Sequence, residues 1–102
     1  MKGISGGEKK RVCIAVEMVS KPDLLILDEP TSGLDSHMAN NVLKIFNRLA
    51  KKEGRTVIFT IHQPSFKMFT ELDRLLLLDK GEVIYQGSAF VMQAWHLALW
   101  ST

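Results

Sequence analysis

Two adjacent carboxylates follow a short apolar segment in the first third of the chain. Asp28 and Glu29 come directly after Leu24–Leu27, which has the length and composition of a parallel strand buried on both faces. Ligands bind at the carboxyl ends of strands in open α/β sheets. For phosphoryl transfer, Asp28 could hold Mg²⁺, directly or through water, and Glu29 could orient and deprotonate the attacking water. Alternatively, the pair only begins a turn with Pro30 and Thr31.

A Ser-Gly-Gly-Glu segment near the amino terminus could carry a second kind of chemistry. Ser5 and Glu8 can form a capping box at the start of a helix. Gly6 and Gly7 each cost a helix up to about 1 kcal/mol relative to alanine, but they allow a ligand to approach the backbone closely. A helix amino terminus offers N–H donors and a positive dipole end, so phosphate is the natural ligand. Taken alone, a cap and a phosphate site explain the segment equally well.

A histidine follows a second segment that is predicted to be a buried strand. Thr56–Ile61 is rich in β-branched residues and stops before Pro64, and His62 comes directly after it. His62 would then lie beside Asp28 and Glu29 at the same edge of the sheet, where it could hydrogen-bond a γ-phosphate or the attacking water. A lone histidine is more often a hydrogen-bonded structural residue than a catalytic one.

Two amphipathic helices are predicted around these strands. The first spans Glu8–Val19, and its buried stripe is expected to comprise Val12, Ala15, Val16 and Val19. The second has Asp35 or Ser36 as its N-cap and ends before Gly54. Its apolar positions are Met38, Val42, Ile45, Phe46 and Leu49. Alternating helices and strands predict an α/β fold with parallel strands.

The last third of the chain is predicted to contain a hairpin and a helix. Leu75–Leu78 and Val83–Tyr85 flank a turn-forming Asp-Lys-Gly segment and predict an antiparallel hairpin at the end of the sheet. The apolar segment 88–102 could form a short helix. The chain has no internal repeat and no interdomain linker, so it is one domain or part of one.

Composition limits the class of protein. The 102 residues are 46% hydrophobic and 24% charged, which is typical of a globular chain with one modest core. The net charge of +2 is too small to indicate a nucleic-acid partner. The single cysteine, Cys13, is expected to be a buried thiol in a reducing compartment. No segment reaches the roughly 20 apolar residues of a membrane-spanning helix, so a partner or another segment would have to provide any membrane link.

Taken in order, four motifs resemble those of ABC ATPases. They are the signature motif Ile4–Glu8, the Walker B motif Leu24–Glu29, the D-loop Ser32–Asp35 and the switch histidine His62. Several segments are most similar to the G subfamily (white/pigment-type) of transporters: Glu8–Val12, Asp28–Asp35, Thr60–Pro64 and Arg74–Gly87. The resemblance identifies residues 1–87 as the carboxyl-terminal part of an ABC nucleotide-binding domain, followed by a divergent apolar tail over 88–102.

The resemblance implies a partial P-loop NTPase domain with parallel strands, flanking helices and a C-terminal hairpin. It implies ATP and Mg²⁺ as cofactors, and a second nucleotide-binding domain and a transmembrane domain as partners. The domain would then be membrane-associated through a parent transporter and would lie on the cytoplasmic side. In such proteins two domains enclose two ATP molecules, and hydrolysis drives transport.

The resemblance also implies a role for each motif residue. Glu29 would be the catalytic base, Asp28 the Mg²⁺ partner and His62 the γ-phosphate sensor. Asp35 would contact the opposite subunit across the dimer. The nucleotide held by that subunit would meet the signature residues Ser5, Gly6, Gly7 and Glu8.

The P-loop, the Q-loop and the nucleotide-base platform of the family have no counterpart in the 102 residues. The residues contain no Gly-x-x-x-x-Gly-Lys-Ser/Thr segment, the phosphate-binding P-loop, so this chain alone is expected to bind ATP poorly. Two alternatives stay open. The chain could come from a soluble ABC ATPase of DNA repair, chromosome maintenance or translation, although the Thr-Ile-His-Gln-Pro segment favours a transporter. It could also be a non-catalytic interaction fragment that donates Ser5–Gly7 and Asp35 to a complete partner domain.

Overall fold

The structure, a computed structural model, describes residues 6–100, and the side-chain surroundings of residues 8–94. Its elements in chain order are α1 (Gly6–Met18), β1 (Leu24–Leu27), α2 (Ser36–Glu53), β2 (Thr56–Phe59), α3 (Phe66–Phe69), β3 (Arg74–Asp79), β4 (Glu82–Ser88) and α4 (Ala89–Trp100). The chain divides into two compact units, Met1–Ser65 and Phe66–Thr102. The predicted α/β class is confirmed, with a parallel strand pair in the first unit and an antiparallel hairpin in the second.

The strands β1 and β2 are fastened at both ends. They are parallel and in register, with Leu27 opposite Phe59. At the amino ends, Arg55 Nη1 donates a hydrogen bond of 2.6 Å to the carbonyl of Pro22. At the carboxyl ends, the Thr60 N–H donates to the carbonyl of Leu27 at 3.2 Å. The two bonds hold the strands side by side at both ends, including the carboxyl ends where the chain leaves the sheet. Strand β2 ends at Phe59, two residues earlier than the predicted strand.

Local capping determines where α2 begins and ends. Asp35 is the N-cap, and its Oδ1 accepts the N–H of Met38 at 2.8 Å. Gly54 closes the helix in the left-handed region at φ 64°, a conformation that costs glycine little. Both predicted boundaries are therefore confirmed.

The core of the first unit lies along one side of α2. Its buried residues there are Ala39, Asn40, Val42, Leu43, Phe46 and Leu49. The rings of Phe46 and Phe59 lie 5.1 Å apart and are tilted by 45°, which is a favourable aromatic geometry. Burying this side of α2 against β2 gives the first unit a core and positions β2 on the helix, and the parallel pairing holds β1 beside β2.

The predicted buried stripe of α1 is wrong. Val12, Ala15, Val16 and Val19 are exposed, and Ile14 is the buried residue among positions 8–18 of α1, whose burial the structure describes. Successive helix positions differ by about 100°, so Ile14 lies on a different side from most of the predicted stripe. Cys13, expected to be buried, is also exposed. A helix buries only the side that meets another element, and α1 meets α2 through a side that its apolar periodicity did not indicate.

The expectation that β1 is covered on both faces is also wrong. Leu25 is buried, whereas Leu24 is 50% exposed and Ile26 is 68% exposed. Ile58, the partner of Ile26 in the parallel register, is 54% exposed. Side chains alternate between the two faces of a strand, so these three lie on one face of the pair. Within residues 6–100, only the opposite face is covered.

The second unit is built on the predicted hairpin. Strands β3 and β4 are antiparallel and are joined at Lys80 and Gly81, which have φ values of 50° and 80°. Two left-handed residues are what a tight hairpin turn requires. The hairpin forms a separate two-stranded sheet, so the expectation that it ends the parallel sheet is wrong.

The apolar tail forms the predicted helix, α4. The N–H of Ala89, the first residue of α4, donates to the carbonyl of Asp73 at 3.0 Å. Gln93 Nε2 donates to the carbonyl of Phe69 at 3.1 Å. These bonds tie α4 to the segment before β3. None of the helices described over residues 6–100 has the length and apolarity needed to span a membrane.

Candidate functional site

A single hydroxyl group links the two carboxylate residues to the neighbouring strand. Thr60 Oγ1 donates a hydrogen bond of 2.7 Å to Oδ1 of Asp28. The same Oγ1 accepts the backbone N–H of Glu29, also at 2.7 Å. A threonine hydroxyl has one proton to donate and lone pairs to accept, so it can make both bonds together. Thr60 therefore fixes a side chain and a backbone group at the end of β1.

The backbone of Glu29 adopts an unusual conformation. Its φ is 44°, in the left-handed region, which costs a residue with a side chain roughly 1–2 kcal/mol. The N–H is held by Thr60, and the carbonyl accepts the N–H of Ser32 at 3.1 Å. Such strain persists only where surrounding bonds enforce it, and it is concentrated at functional sites. The chain therefore turns sharply after Asp28 and presents Glu29 at the strand exit.

A compact loop connects this turn to α2. Pro30 and Thr31 are buried, and the Thr31 carbonyl accepts the N–H of Leu34 at 3.2 Å. The loop ends at Asp35, whose carboxylate is exposed while one of its oxygens caps α2. The helix-cap role expected for Asp35 is confirmed, and its contact across a dimer remains a prediction.

The predicted histidine follows the same edge of the parallel pair. His62 is exposed in the loop after β2, two residues beyond Thr60. Gln63, which follows it, is also left-handed, with φ at 50°. Because Thr60 is bonded to Asp28, this loop leaves the sheet beside the carboxylates. His62 makes no hydrogen bond to Asp28 or Glu29.

The signature segment lies at the margin of the described chain. Helix α1 begins at Gly6, followed by Gly7. Glu8 is exposed in the first turn of the helix. Ser5 lies outside the described residues. The helix expected to begin in this segment is present. The binding of a nucleotide by the signature segment stays a prediction.

The carboxylates can hold a metal ion only with help from a ligand. Asp28 and Glu29 are both exposed and so accessible. Among the residues that the structure describes, no three His, Cys, Asp or Glu side chains are grouped closely enough to form a metal site. Mg²⁺ commonly takes one or two carboxylates and completes its shell with substrate phosphates and water. Asp28 fits that pattern, in which nucleotide phosphates and water would supply the remaining ligands.

Sequence reasoning missed Thr60 as part of this cluster. The strand pattern of Thr56–Ile61 includes Thr60 but indicates no separate role for it. The available signal was a hydroxyl-bearing residue at the carboxyl end of a strand expected to adjoin Leu24–Leu27. Its two hydrogen bonds span 31 and 32 residues of sequence, so they depend on the register of β1 against β2.

Comparison with known proteins gives one consistent family. The family model described as ABC transporter matches residues 1–32. ABC transporter G family member 4 of Arabidopsis thaliana is 47% identical over 96 residues, which cover 94% of this chain and 17% of that protein. The broad substrate specificity ATP-binding cassette transporter ABCG2 of Bos taurus is 49% identical over 89 residues, covering 87% of this chain and 13% of that protein. The chain thus spans less than a fifth of these curated relatives.

Solved structures agree with the sequence relatives. The cbiO1 protein of Clostridium perfringens, part of the ABC transporter complex cbiONQ, matches with a TM-score of 0.77 at 33% identity, over 95% of this chain and 40% of that one. A dimeric post-hydrolysis structure of the ATP-binding cassette MJ0796, bound to ADP and Pi, matches with a TM-score of 0.69 at 28% identity, over 84% of this chain and 36% of that one. The order of motifs, the parallel strand pair and these matches lead to one conclusion. The chain belongs to the ABC transporter family, as part of an ATP-binding domain of the G subfamily.

Proposed function

We propose that this chain supplies the catalytic edge of an ATPase domain that drives transmembrane transport in a G-subfamily transporter. The observation that carries the proposal is the cluster of Asp28, Thr60 and Glu29 at the carboxyl ends of two parallel strands. This edge is where ligands bind in open α/β sheets. Both carboxylates are exposed there, so a nucleotide can reach them.

Each residue at this edge of the sheet has a separate role in phosphoryl transfer. Asp28 would hold Mg²⁺, and the bound ion would neutralise charge on the phosphates of ATP. Glu29 orients the attacking water and accepts its proton. His62 hydrogen-bonds the γ-phosphate from the neighbouring loop. The 2.7 Å hydrogen bond from Thr60 restricts the motion of the Asp28 carboxylate and so helps to position it.

The signature segment acts on a nucleotide held by a second domain. Helix α1 begins at Gly6, so its first N–H groups and its positive dipole end are available to a γ-phosphate. Ser5, Gly7 and Glu8 complete this contact, and Asp35 reaches the opposite subunit with the carboxylate oxygen that does not cap α2. The dimer of MJ0796 bound to ADP and Pi supports such a pairing.

The domain works with partners beyond this chain. A second nucleotide-binding domain completes each ATP site, and a transmembrane domain carries the substrate. The nucleotide-binding domain lies on the cytoplasmic side of the membrane. Residues 1–87 make up the family part, and 88–102 form a divergent tail. The 102 residues contain no P-loop sequence, so this chain by itself binds and hydrolyses ATP poorly.

The proposal is tested by grafting this segment into a complete relative. Residues 1–87 replace the matching segment of ABC transporter G family member 4, and ATP hydrolysis is measured in membranes. We expect the graft to hydrolyse ATP and Glu29→Gln to reduce kcat by roughly 10²–10⁴-fold, because a general base is lost. Glu17→Gln, an exposed change on α1, is the matched control and should leave kcat unchanged. A folded graft whose kcat is insensitive to Glu29→Gln would refute the proposal.

A second candidate function is a non-catalytic interaction fragment. The observation in its favour is the exposed apolar face formed by Leu24, Ile26 and Ile58, which could bind another protein chain. Adding the chain to an intact G-subfamily ATPase domain should then change ATP turnover or dimerisation. Unchanged turnover and unchanged dimerisation would exclude this function.

A further inference from the structure

We infer that Thr60 is a positioning residue for the catalytic edge: its hydroxyl holds the Asp28 carboxylate and the left-handed backbone of Glu29 in one fixed arrangement. The inference concerns a residue to which the family motifs assign no role in this chain. Its consequence for catalysis rests on the proposed function. Its structural part stands on two hydrogen bonds of 2.7 Å and on the φ of 44° at Glu29.

Thr60 is itself held firmly enough to position other groups. Its N–H donates to the carbonyl of Leu27 at 3.2 Å, which continues the pairing of β2 with β1. A β-branched side chain has few χ1 rotamers, so the hydroxyl direction follows from the backbone. Because the strand pair is fastened at both ends, Oγ1 remains at a constant place beside the exit of β1.

The Thr60 hydroxyl bonds a different group in each of the two carboxylate residues. Asp28 is held through its side chain, whereas Glu29 is held through its backbone. Without an acceptor for the Glu29 N–H, the left-handed conformation keeps only the bond from the Ser32 N–H to the Glu29 carbonyl, so the residue is expected to relax toward negative φ. That rotation would redirect the Glu29 carboxylate. One lost hydroxyl would therefore disturb both the metal partner and the base.

Because the cluster is exposed, the effect of Thr60 on the position of the carboxylates can be measured separately from its effect on the stability of the fold. Asp28, Glu29 and Thr60 are all exposed, so water can satisfy the groups that a lost hydroxyl would leave. Thr60→Val keeps the shape and strand propensity but removes the hydroxyl, so it should change orientation more than folding. Thr60→Ser keeps the hydroxyl. Thr56→Val is the matched control, since Thr56 is exposed and lies on the same face of β2.

The first experiment measures hydrogen exchange of the Glu29 amide in the full 102-residue chain, by mass spectrometry with fragmentation that resolves single residues. We expect Thr60→Val to speed this exchange at least about tenfold, because the acceptor of that N–H is removed. Thr60→Ser should stay within about twofold of the unmodified chain, since the serine hydroxyl can accept the same bond. Thr56→Val should change nothing at Glu29. Unaltered Glu29 exchange in Thr60→Val would overturn the inference.

A second measurement uses the graft in G family member 4. Thr60→Val should lower kcat by roughly tenfold to a hundredfold, with KM for ATP nearly unchanged, because misplacement of catalytic groups acts on the chemical step. Thr60→Ser should recover most of the kcat. Equal kcat in Thr60→Val and the active parent graft would overturn the catalytic part. An inactive parent graft would count against the proposed function, and amide exchange would still decide the role of Thr60.

Discussion

The uncovered face of the parallel strand pair should make the isolated chain associate with itself. Leu24, Ile26 and Ile58 are 50%, 68% and 54% exposed on that face. Full burial of such a side chain is worth about 1.5–3 kcal/mol, so covering the remaining fraction of each gives about 1–2 kcal/mol. The three together could contribute about 3–5 kcal/mol to association. Each strand pairs only with the other over residues 6–100, which also leaves hydrogen-bonding edges open.

The perturbation is the double substitution Ile26→Thr and Ile58→Thr. Threonine is β-branched and keeps strand propensity, while the exposed apolar surface is reduced. Because threonine keeps one methyl group, the change removes about half of the apolar contribution, so self-association should weaken at least about tenfold. Val19→Thr is the control, because Val19 is an exposed apolar residue beyond the end of α1 and is not part of the exposed face of the strand pair.

Sedimentation velocity over a range of micromolar concentrations measures the effect. The unmodified chain and Val19→Thr should form concentration-dependent oligomers or aggregates, and the double variant should shift toward monomer. The reasoning would be refuted if the unmodified chain stayed monomeric at all these concentrations and unfolded in one sharp cooperative transition. It would also be refuted if the control reduced association as strongly as the double variant.

Two further predictions concern the supports of the site. Asp35→Ala should destabilise α2 by about 1 kcal/mol because its N-cap is lost, whereas Asp35→Asn should cost little. Faster amide exchange in the first turn of α2 measures this, and equal exchange in both variants would contradict it. Arg55→Met should loosen the amino ends of the strand pair, because the 2.6 Å bond to Pro22 is lost. The Thr56 amide, bonded to Asp23 at 2.8 Å, should then exchange faster, and unchanged exchange would contradict the anchoring role.

The sequence alone determined the elements whose causes are local. Asp35 and Gly54 delimit α2 because a side-chain cap and a left-handed glycine act within a few residues of the helix ends. The apolar segment before Asp28 forms a strand, and the Asp-Lys-Gly turn forms a hairpin. The short helix α3, with four residues, is too short to show a period and was not predicted.

Only the tertiary structure decided which faces are covered and which distant groups meet. Periodicity shows that residues share a face, but another element must cover that face before they are buried. The apolar stripe of α1 and one face of β1 are exposed because no other element of the described chain covers them. The bonds of Thr60 to Asp28 and Glu29 depend on strands more than 30 residues apart lying in one register, which no local pattern encodes.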